Sequence, residues 1–492
     1  MNVRTTRILA LLALLAIPAA VGACAVVLGL DDHEPFPPVA DAAPDTLPPD
    51  ASACGDTQTD PNNCGQCGLA CPAGYACITG TCGNHVAAVA AGAHGCALLH
   101  GGEVWCWGPS NAGQVGARAD NCTVCPKPLK VAGVTGAVEL AIGVSSSCVR
   151  DAAGVISCWG QNNVGQLGHA SGTAGDTTCA YGGPCNPKPA VVSLPPAAQI
   201  AVGDGYACAR LTDGSLRCWG DNGFGQLGVG APDGPHPVPV AVAITSDVVD
   251  VAAGRAYTST CATKKDGTLW CWGENVRGTL GHIGGGDISC PVGAPAAPCN
   301  ATPSPIANFG AFTQVSVSRI TCGKSNGDYY CWGFNGYGQL GLGIIDAVDH
   351  AVPSLVTTVK AATLSLGYNH TCALDADGAA WCWGYNFWGE VGDGTIRSAV
   401  ACEGGPQYCV SKAARVARVP KIAGIAAGLE HTVALGTDGT VWEWGANPDG
   451  RTAHPPGKSD GGPTDDSCYL VVGDAGVGGP CTAHPAQVLG LP

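Results

Sequence analysis

The sequence predicts an all-β fold: a seven-bladed β-propeller closed by a C-terminal strand and preceded by a small disulfide-rich module. Three observations carry this. The stretch from Cys208 to Gly228, C-A-R-L-T-D-G-S-L-R-C-W-G-D-N-G-F-G-Q-L-G, is one of seven copies; the others start at Cys96, Cys148, Cys261, Cys322, Cys372 and Val433, at steps of 50 to 61 residues. Each copy sets alternating runs around a turn such as Asp213-Gly214 or Asn326-Gly327, as a β-hairpin with positive φ at its turn requires. The end of the chain, His484 to Pro492, looks like the opening of a repeat with no hairpin after it.

From the N-terminus, Arg4 and Arg7 precede an apolar run from Ile8 to Ala20 and then Val21-Gly22-Ala23-Cys24. This is the layout of an export signal. The V-G-A-C ending resembles the bacterial lipobox, which implies a signal peptide over 1–23 and a lipid on Cys24. Apolar residues continue to Leu30, so an uncleaved signal anchor is the alternative. Residues 24–53 turn to Pro, Asp and Ala, which bury no core and form an extended tether. Residues 54–84 are a cysteine-rich module. Its Cys64-x-x-Cys67 raises zinc, but no second C-x-x-C or histidine pair follows, and disulfides suit an exported chain better. Three bridges among six cysteines allow fifteen connectivities, and the sequence does not choose.

The propeller occupies 85–492. In the copy at Cys322 the Asn326-Gly327 turn places Ser325 opposite Asp328, and therefore Cys322 opposite Cys331 at a non-hydrogen-bonded site, where side chains approach most closely. The same pairing joins Cys96 to Cys106, Cys148 to Cys158, Cys208 to Cys218, Cys261 to Cys271 and Cys372 to Cys382. The seventh copy has Val433 and Glu443 instead, and loss of both together is what bonded partners predict. Loop pairs follow in Cys122/Cys125, Cys179/Cys185, Cys290/Cys299, Cys402/Cys409 and Cys468/Cys481. Of 29 cysteines, these and the six of the module leave Cys24 alone. An even set plus one lipidated residue implies an oxidising compartment.

After each hairpin comes Trp-Gly, then Asn or Ser (Ser110, Asn162, Asn222, Asn275, Asn335, Asn386, Asn447) and a further glycine, a repeated tight corner with an architectural role. A P-x-x-V strand, as in Pro128–Val131 or Pro353–Val356, opens each later copy, while the first copy lacks one. The C-terminal strand is therefore expected to complete the first repeat and close the ring.

The run A-A-G-x-x-H-x-C-A-L with D-G-x-x-x-x-W-G-x-N-x-x-G-Q-L-G resembles the repeats of the regulator of chromosome condensation propellers, over about four fifths of the chain. Arg451-Thr452-Ala453 departs from Q-L-G in the last copy. The resemblance implies a rigid disc that binds other proteins through loops; the family includes exchange factors for small GTPases and secreted bacterial members. Residues 54–84 resemble short cysteine-rich modules on exported proteins of myxobacteria.

Catalytic signatures such as G-x-S-x-G, H-E-x-x-H and a phosphate loop with its lysine do not occur. His94, His370 and His431 recur at one position, but Ser146, Tyr206, Ser259 and Ile320 hold it elsewhere, so their role reads as structural. The Asp-Gly turns before tryptophans resemble the sialidase Asp-box, which is itself structural. No metal or cofactor is expected. A net charge of −15 with 23 Lys plus Arg disfavours nucleic acid and anionic membranes as partners of the disc.

The expectation is therefore a monomeric, non-catalytic scaffold, lipid-anchored at the outer membrane or cell surface of a Gram-negative bacterium. Its stapled loops, which should share one face, bind an extracytoplasmic protein, peptide or glycan, with Tyr181, Asp287, Tyr408 and Tyr469 as binding candidates. The alternatives are an exchange factor for a small GTPase, which requires cytoplasmic exposure, and a glycan-active enzyme, which requires convergent carboxylates or arginines at the centre of the disc.

Overall fold

The structure is a computed structural model. It describes residues 58–492 except 61, 63, 65–69, 72–75, 79–80, 117–121, 245, 285, 291–296, 308, 397–401, 403–407, 449–450, 454–465 and 473–474, with backbone alone for 76, 78, 81, 466–472 and 475–480. Residues 1–53, on which the expected signal peptide, Cys24 and the expected tether fall, lie outside the described residues, as do Cys54 and Cys67.

Seven antiparallel sheets follow one another along the chain as blades 1 to 7, over 86–130, 137–191, 197–241, 248–305, 312–355, 363–415 and 422–487. Four strands make the core of each blade, and in blades 2, 4 and 7 a fifth, which precedes the fourth in the chain, pairs outside it. The innermost are Val86–Ala91, Ala137–Ile142, Ala197–Val202, Val248–Ala253, Phe312–Val317, Thr363–Leu366 and Ile422–Ala427. Mostly small side chains let seven such strands crowd around one axis. At their tips stand Gly92, Gly143, Gly203, Gly254, Ser318, Gly367 and Gly428. A Cβ on Gly92 would lie 2.0 Å from the Gly143 carbonyl oxygen, one on Gly143 2.3 Å from that of Gly203, and one on Gly428 2.6 Å from that of Gly92. The A-A-G run is thus the neck of the disc, where backbones touch and side chains do not fit.

The hairpins have the expected register. Ser325 opposes Asp328 and Cys322 opposes Cys331, with Asn326 and Gly327 at φ 52° and 83°. All six hairpin disulfides form between directly opposed residues with Cα atoms 4.0–4.1 Å apart. In the N-terminal module Cys64 joins Cys77 and Cys71 joins Cys82. The sulfurs of Cys64, Cys71 and Cys77 lie within 4.8 Å of one another, but all three are oxidised and offer no thiolate to zinc.

The closing strand requires a correction. Ala475–Gln487 does not pair with the first repeat; it pairs with Val441–Ala446 as the fourth strand of blade 7. Likewise the P-x-x-V strand pairs with the hairpin before it, as Val124–Lys130 does with Val104–Pro109, and so ends a blade rather than opening one. The reason is chemical. Proline cannot donate to a ladder, so a strand such as His236–Ala241, with Pro237 and Pro239, belongs at the rim, whereas the small-residue strand must be innermost. The valine ending the motif then crosses toward the next blade. Val131, Val192, Val242, Val356 and Val416 each donate a backbone N–H to the residue that starts, or lies just inside, the third strand of their own blade, and Val488 does so to Val441. Val488 is buried with Val86, Leu99 and Trp107 of blade 1, so the C-terminus contributes packing to the closure and no strand.

Each seam between blades is built around a tryptophan. Trp107, Trp159, Trp219, Trp272, Trp332, Trp383 and Trp444 are all fully buried. The Trp159 indole donates to the Gln114 carbonyl of blade 1 at 2.9 Å, and Trp219, Trp272, Trp332, Trp383 and Trp444 make the equivalent bond to their preceding blades at 2.8–3.0 Å. The Q of Q-L-G therefore supplies its backbone oxygen to the next blade. Buried indole N–H groups need such partners.

Candidate functional site

Inner strands run toward the neck and third strands return to the same side. The neck turns and the long loops after the Trp-Gly corners therefore share one face, which we call the loop face, as expected. The Asp-Gly turns and the short rim-to-axis crossings occupy the other. Four loops of the loop face are stapled by Cys122–Cys125, Cys179–Cys185, Cys290–Cys299 and Cys402–Cys409. Cys481 is also disulfide-bonded, while the side chain of Cys468 lies outside the described residues.

In blades 2 to 7 an asparagine forms the corner at which the loop begins. Its Oδ1 accepts the N–H five residues on, as Asn222 does from Leu227 at 3.1 Å, and even Asn447 does from Thr452 at 3.3 Å, so the last corner survives the loss of Q-L-G. Its Nδ2 reaches a carboxylate farther along the loop in four blades: Asn162 to Asp176, Asn222 to Asp233, Asn275 to Asp287 and Asn335 to Asp346, at 2.5–3.2 Å. His169, His236, His282 and His350 approach the same carboxylates at 2.9–3.9 Å. These Asn-Asp-His sets, which the sequence reading missed, brace the loops from inside.

This places the four binding candidates. The Asp287 side chain is 8% exposed and bonded to Asn275, so it belongs to the loop brace and is not free for a partner. Tyr181 is exposed, with its hydroxyl donating to the Pro184 carbonyl at 2.6 Å and its N–H to that of Asn111 in blade 1. It sits in the loop that borders a cavity of about 610 Å³ between blades 1 and 2, lined by Asn111, Cys122, Thr177, Cys179, Asn186 and Lys188 among others. Tyr408 is half-buried, and its carbonyl holds the Asn386 N–H at 2.9 Å. The Tyr469 backbone lies opposite Gly478, and its side chain is outside the described residues. Tyr181, Asp287 and Tyr408 thus stand in the loops of three different blades, 2, 4 and 6.

What does converge lies nearer the axis, on blades 4 to 6. The Arg319 guanidinium stands 5.1–5.8 Å from the ring centroids of Tyr257, Phe334, Tyr337 and Tyr368, and donates to the Asn369 Oδ1 at 2.7 Å and the Tyr257 hydroxyl at 3.2 Å. The rings continue edge to face from Phe334 to Tyr337 to Tyr385, and on through Phe387 to Trp388. Tyr368 is 38% exposed and most of the others are half-buried, so the arc is both ordered and accessible. Burial pushes the Tyr385 phenol up, with Glu390 adding to it. Beside the arc, burial raises the Asp204 carboxyl, helped by Asp221, and raises that of Glu274, which accepts the Thr258 N–H at 3.0 Å. The sequence signal was present but diffuse, because the arc joins several repeat positions, such as that of Tyr257 and Tyr368 and that of Phe334 and Tyr385, which other copies fill with non-aromatic residues.

On the axis, Arg255 is the charged residue lining the central channel. The expected test for an enzyme, convergent acids or arginines there, meets the Arg255 guanidinium, bonded to the carbonyls of Ala91 and Leu366, and, in an adjoining cavity along the same innermost strands, Asp250 and Arg210. Burial raises the Asp250 carboxyl, whose oxygens accept from the Gln199 amide at 2.7 Å and the Val315 N–H at 2.9 Å.

A disc with stapled loops and an arginine-aromatic arc on one face belongs to the class of binding or regulatory propellers. The chain belongs to the regulator of chromosome condensation (RCC1) repeat family, whose repeat patterns match residues 213–261, 266–325 and 326–374 and, in a second form, 197–226, 248–279, 362–389 and 422–451. It is similar to the ultraviolet-B receptor UVR8 of Arabidopsis thaliana, 28% identical over 74% of this chain and 77% of that protein. It is also similar to the regulator of chromosome condensation of Xenopus laevis, 27% identical over 70% of this chain and 79% of that one. The crystal structure of Prp20p from Saccharomyces cerevisiae, reported with its binding to Gsp1p and histones, has the same fold: TM-score 0.60 at 18% identity, covering 79% of this chain and 86% of that one.

Proposed function

We propose that this protein is an exported, lipid-anchored scaffold without chemistry of its own, whose propeller binds an extracytoplasmic protein, peptide or glycan through the loop face. The observation that carries the reading is the arc of Tyr257, Phe334, Tyr337, Tyr368 and Tyr385 around Arg319. Tyrosine, tryptophan and arginine dominate the energetics of binding surfaces because they offer large, rigid contact area with a polar handle. Ordered rings and stapled loops also lose less entropy on association. The cysteine pairing supports an oxidising compartment, and Cys24 supplies the anchor in this reading.

The test places a photocrosslinker at Tyr368 on the arc, and separately at Asp377 on the opposite face, in the membrane-attached protein. A specific adduct is expected from Tyr368 and none from Asp377, and Arg319→Ala should lower its yield at least about tenfold. Equal labelling from both faces would sink the loop-face reading. An unprocessed Met1 peptide with free thiols would sink the anchored scaffold and favour an exchange-factor-like regulator in the cytoplasm.

A further inference from the structure

The central channel has a cavity of about 250 Å³ whose walls are the innermost strands, with Ala90, Ala141, Val202, Ala253, Val317 and Leu366 among the lining residues. Into it projects Arg255, from the neck turn of blade 4, which runs from Gly254 to Ser259 and is longer than its counterpart Ser318–Ile320. The guanidinium crosses the axis. It donates to the Ala91 carbonyl of blade 1 and, at 3.3 Å, to the Leu366 carbonyl of blade 6.

Two carbonyls use only part of a guanidinium's donor set. No ion pair among the described residues involves Arg255. Protein surrounds the group while the lumen still reaches it, and desolvation lowers it to about 10, as expected for a cation without a counter-charge. Buried charges in proteins are ordinarily paired.

We infer that the channel is a binding site for a small aliphatic carboxylate, with its anionic group on Arg255 and its hydrocarbon chain against the alanine, valine and leucine walls. One guanidinium matches one negative charge, and its free N–H groups suit the flat carboxylate. Ser316 and Ser365 also line the cavity, but Arg255 is its one cationic side chain, which disfavours a multiply charged anion such as phosphate. At about 250 Å³ the cavity has room for a short-chain acid. The site lies on the axis and stands independently of the loop-face reading.

Butyrate titrated calorimetrically into the full-length protein tests this against its neutral isostere butyramide. Butyrate should bind, and butyramide roughly tenfold or more weakly. Arg255→Gln should lose butyrate binding by a similar factor and Arg255→Lys should retain part of it. Gln also removes a bond across the axis, so the isostere comparison on the unaltered chain decides the matter even if the variant folds poorly. Equal binding of butyramide, an unaffected Arg255→Gln protein, or full displacement of butyrate by chloride or phosphate would each overturn the proposal. Competition by a short peptide with a free C-terminus would identify a chain end as the natural occupant; failure to compete would identify a free acid.

Discussion

Six seams of the ring are alike and the seventh, between blades 7 and 1, is different. At the six, a hairpin disulfide packs beside the tryptophan of the following blade, and that indole bonds a backbone oxygen, as Trp272 does with Gln226. At the seventh, Val433 and Glu443 replace the disulfide, and the Trp107 indole donates to the Glu443 Oε1 at 2.5 Å. The histidines tell the same story. The His94 Nε2 lies 2.7 Å from the Ser147 hydroxyl of blade 2, and that of His370 lies 2.9 Å from the Thr432 hydroxyl of blade 7. His431 should meet the equivalent residue of blade 1, but that is Gly95, and neither of its ring nitrogens has a partner among the described residues. The paired loss of cysteines thus exchanges a bond within blade 7 for one across the closing seam. The exchange lies where first and last blades meet without chain continuity.

The largest effect should come from breaking that bond. Glu443→Ala strands the fully buried Trp107 N–H and leaves a void, and should cost about 2–4 kcal/mol, whereas a surface change such as Asp377→Ala should cost under about 0.5 kcal/mol. Denaturant titration measures both. Equal midpoints would mean that the closing seam does not limit stability.

Gly95→Ser sharpens the comparison next. It offers His431 the hydroxyl that Ser147 offers His94, so hydrogen bonding alone predicts stabilisation. Yet a Cβ on Gly95 would stand 2.6 Å from the Trp107 ring, and overpacking should win by about 1–3 kcal/mol. A stabilised variant would show that the ring can move and that the missing bond matters more than the fit.

Restoring the cysteines with Val433→Cys and Glu443→Cys should have a smaller net effect. The hairpin register is the same, with Val433 opposite Glu443, so the bridge should form and be visible by mass on reduction. A disulfide contributes about 2–4 kcal/mol, and the stranded Trp107 indole costs about 1–3 kcal/mol, so the two largely offset. A large gain would mean that Glu443 is a liability kept for another reason.

Much of this was legible beforehand because it repeats. The hairpin register followed from one Asn-Gly turn, and the disulfides from counting outward. The order of strands within a blade was not, since adjacency in sequence favours joining the P-x-x-V strand to the next hairpin, and only crowding at the axis and proline at the rim decide otherwise. The Asn-Asp-His braces escaped because Asp176, Asp233, Asp287 and Asp346 fall at uneven distances from their asparagines. The arginine-aromatic arc escaped for a related reason: Tyr257 and Tyr368 stand four residues before the first hairpin cysteine of their copies, Arg319 three before it and Tyr337 fifteen after it, and only the packing of neighbouring blades brings these positions together. Asp287 reads in sequence as a loop carboxylate, and nothing in a loop sequence distinguishes one facing a partner from one facing an asparagine.

The smallest effect concerns pH, and its sign differs on the two flanks. Burial lowers His94 and His370 to about 3 and holds His431 well below the usual imidazole range, so in the unfolded chain these residues take up protons below about pH 6.5 that the folded chain refuses. Their contribution to stability is present above that pH and lost as pH falls toward 3. Burial raises Glu443 and Glu390 well above the usual carboxyl range, so the folded chain keeps protons that the unfolded chain releases, and their contribution is lost as pH rises above about 4.5. Stability should therefore pass through a maximum on the acidic side of neutrality. Glu443→Gln keeps an acceptor for Trp107 but cannot ionise, so it should flatten the alkaline flank and leave the acidic one unchanged. Unfolding midpoints from pH 4 to 9 for the two proteins provide the measurement. If the alkaline flank is unaltered, Glu443 is not the group that titrates, and the other carboxyls raised by burial, Glu390, Asp204, Asp250 and Glu274, carry the dependence.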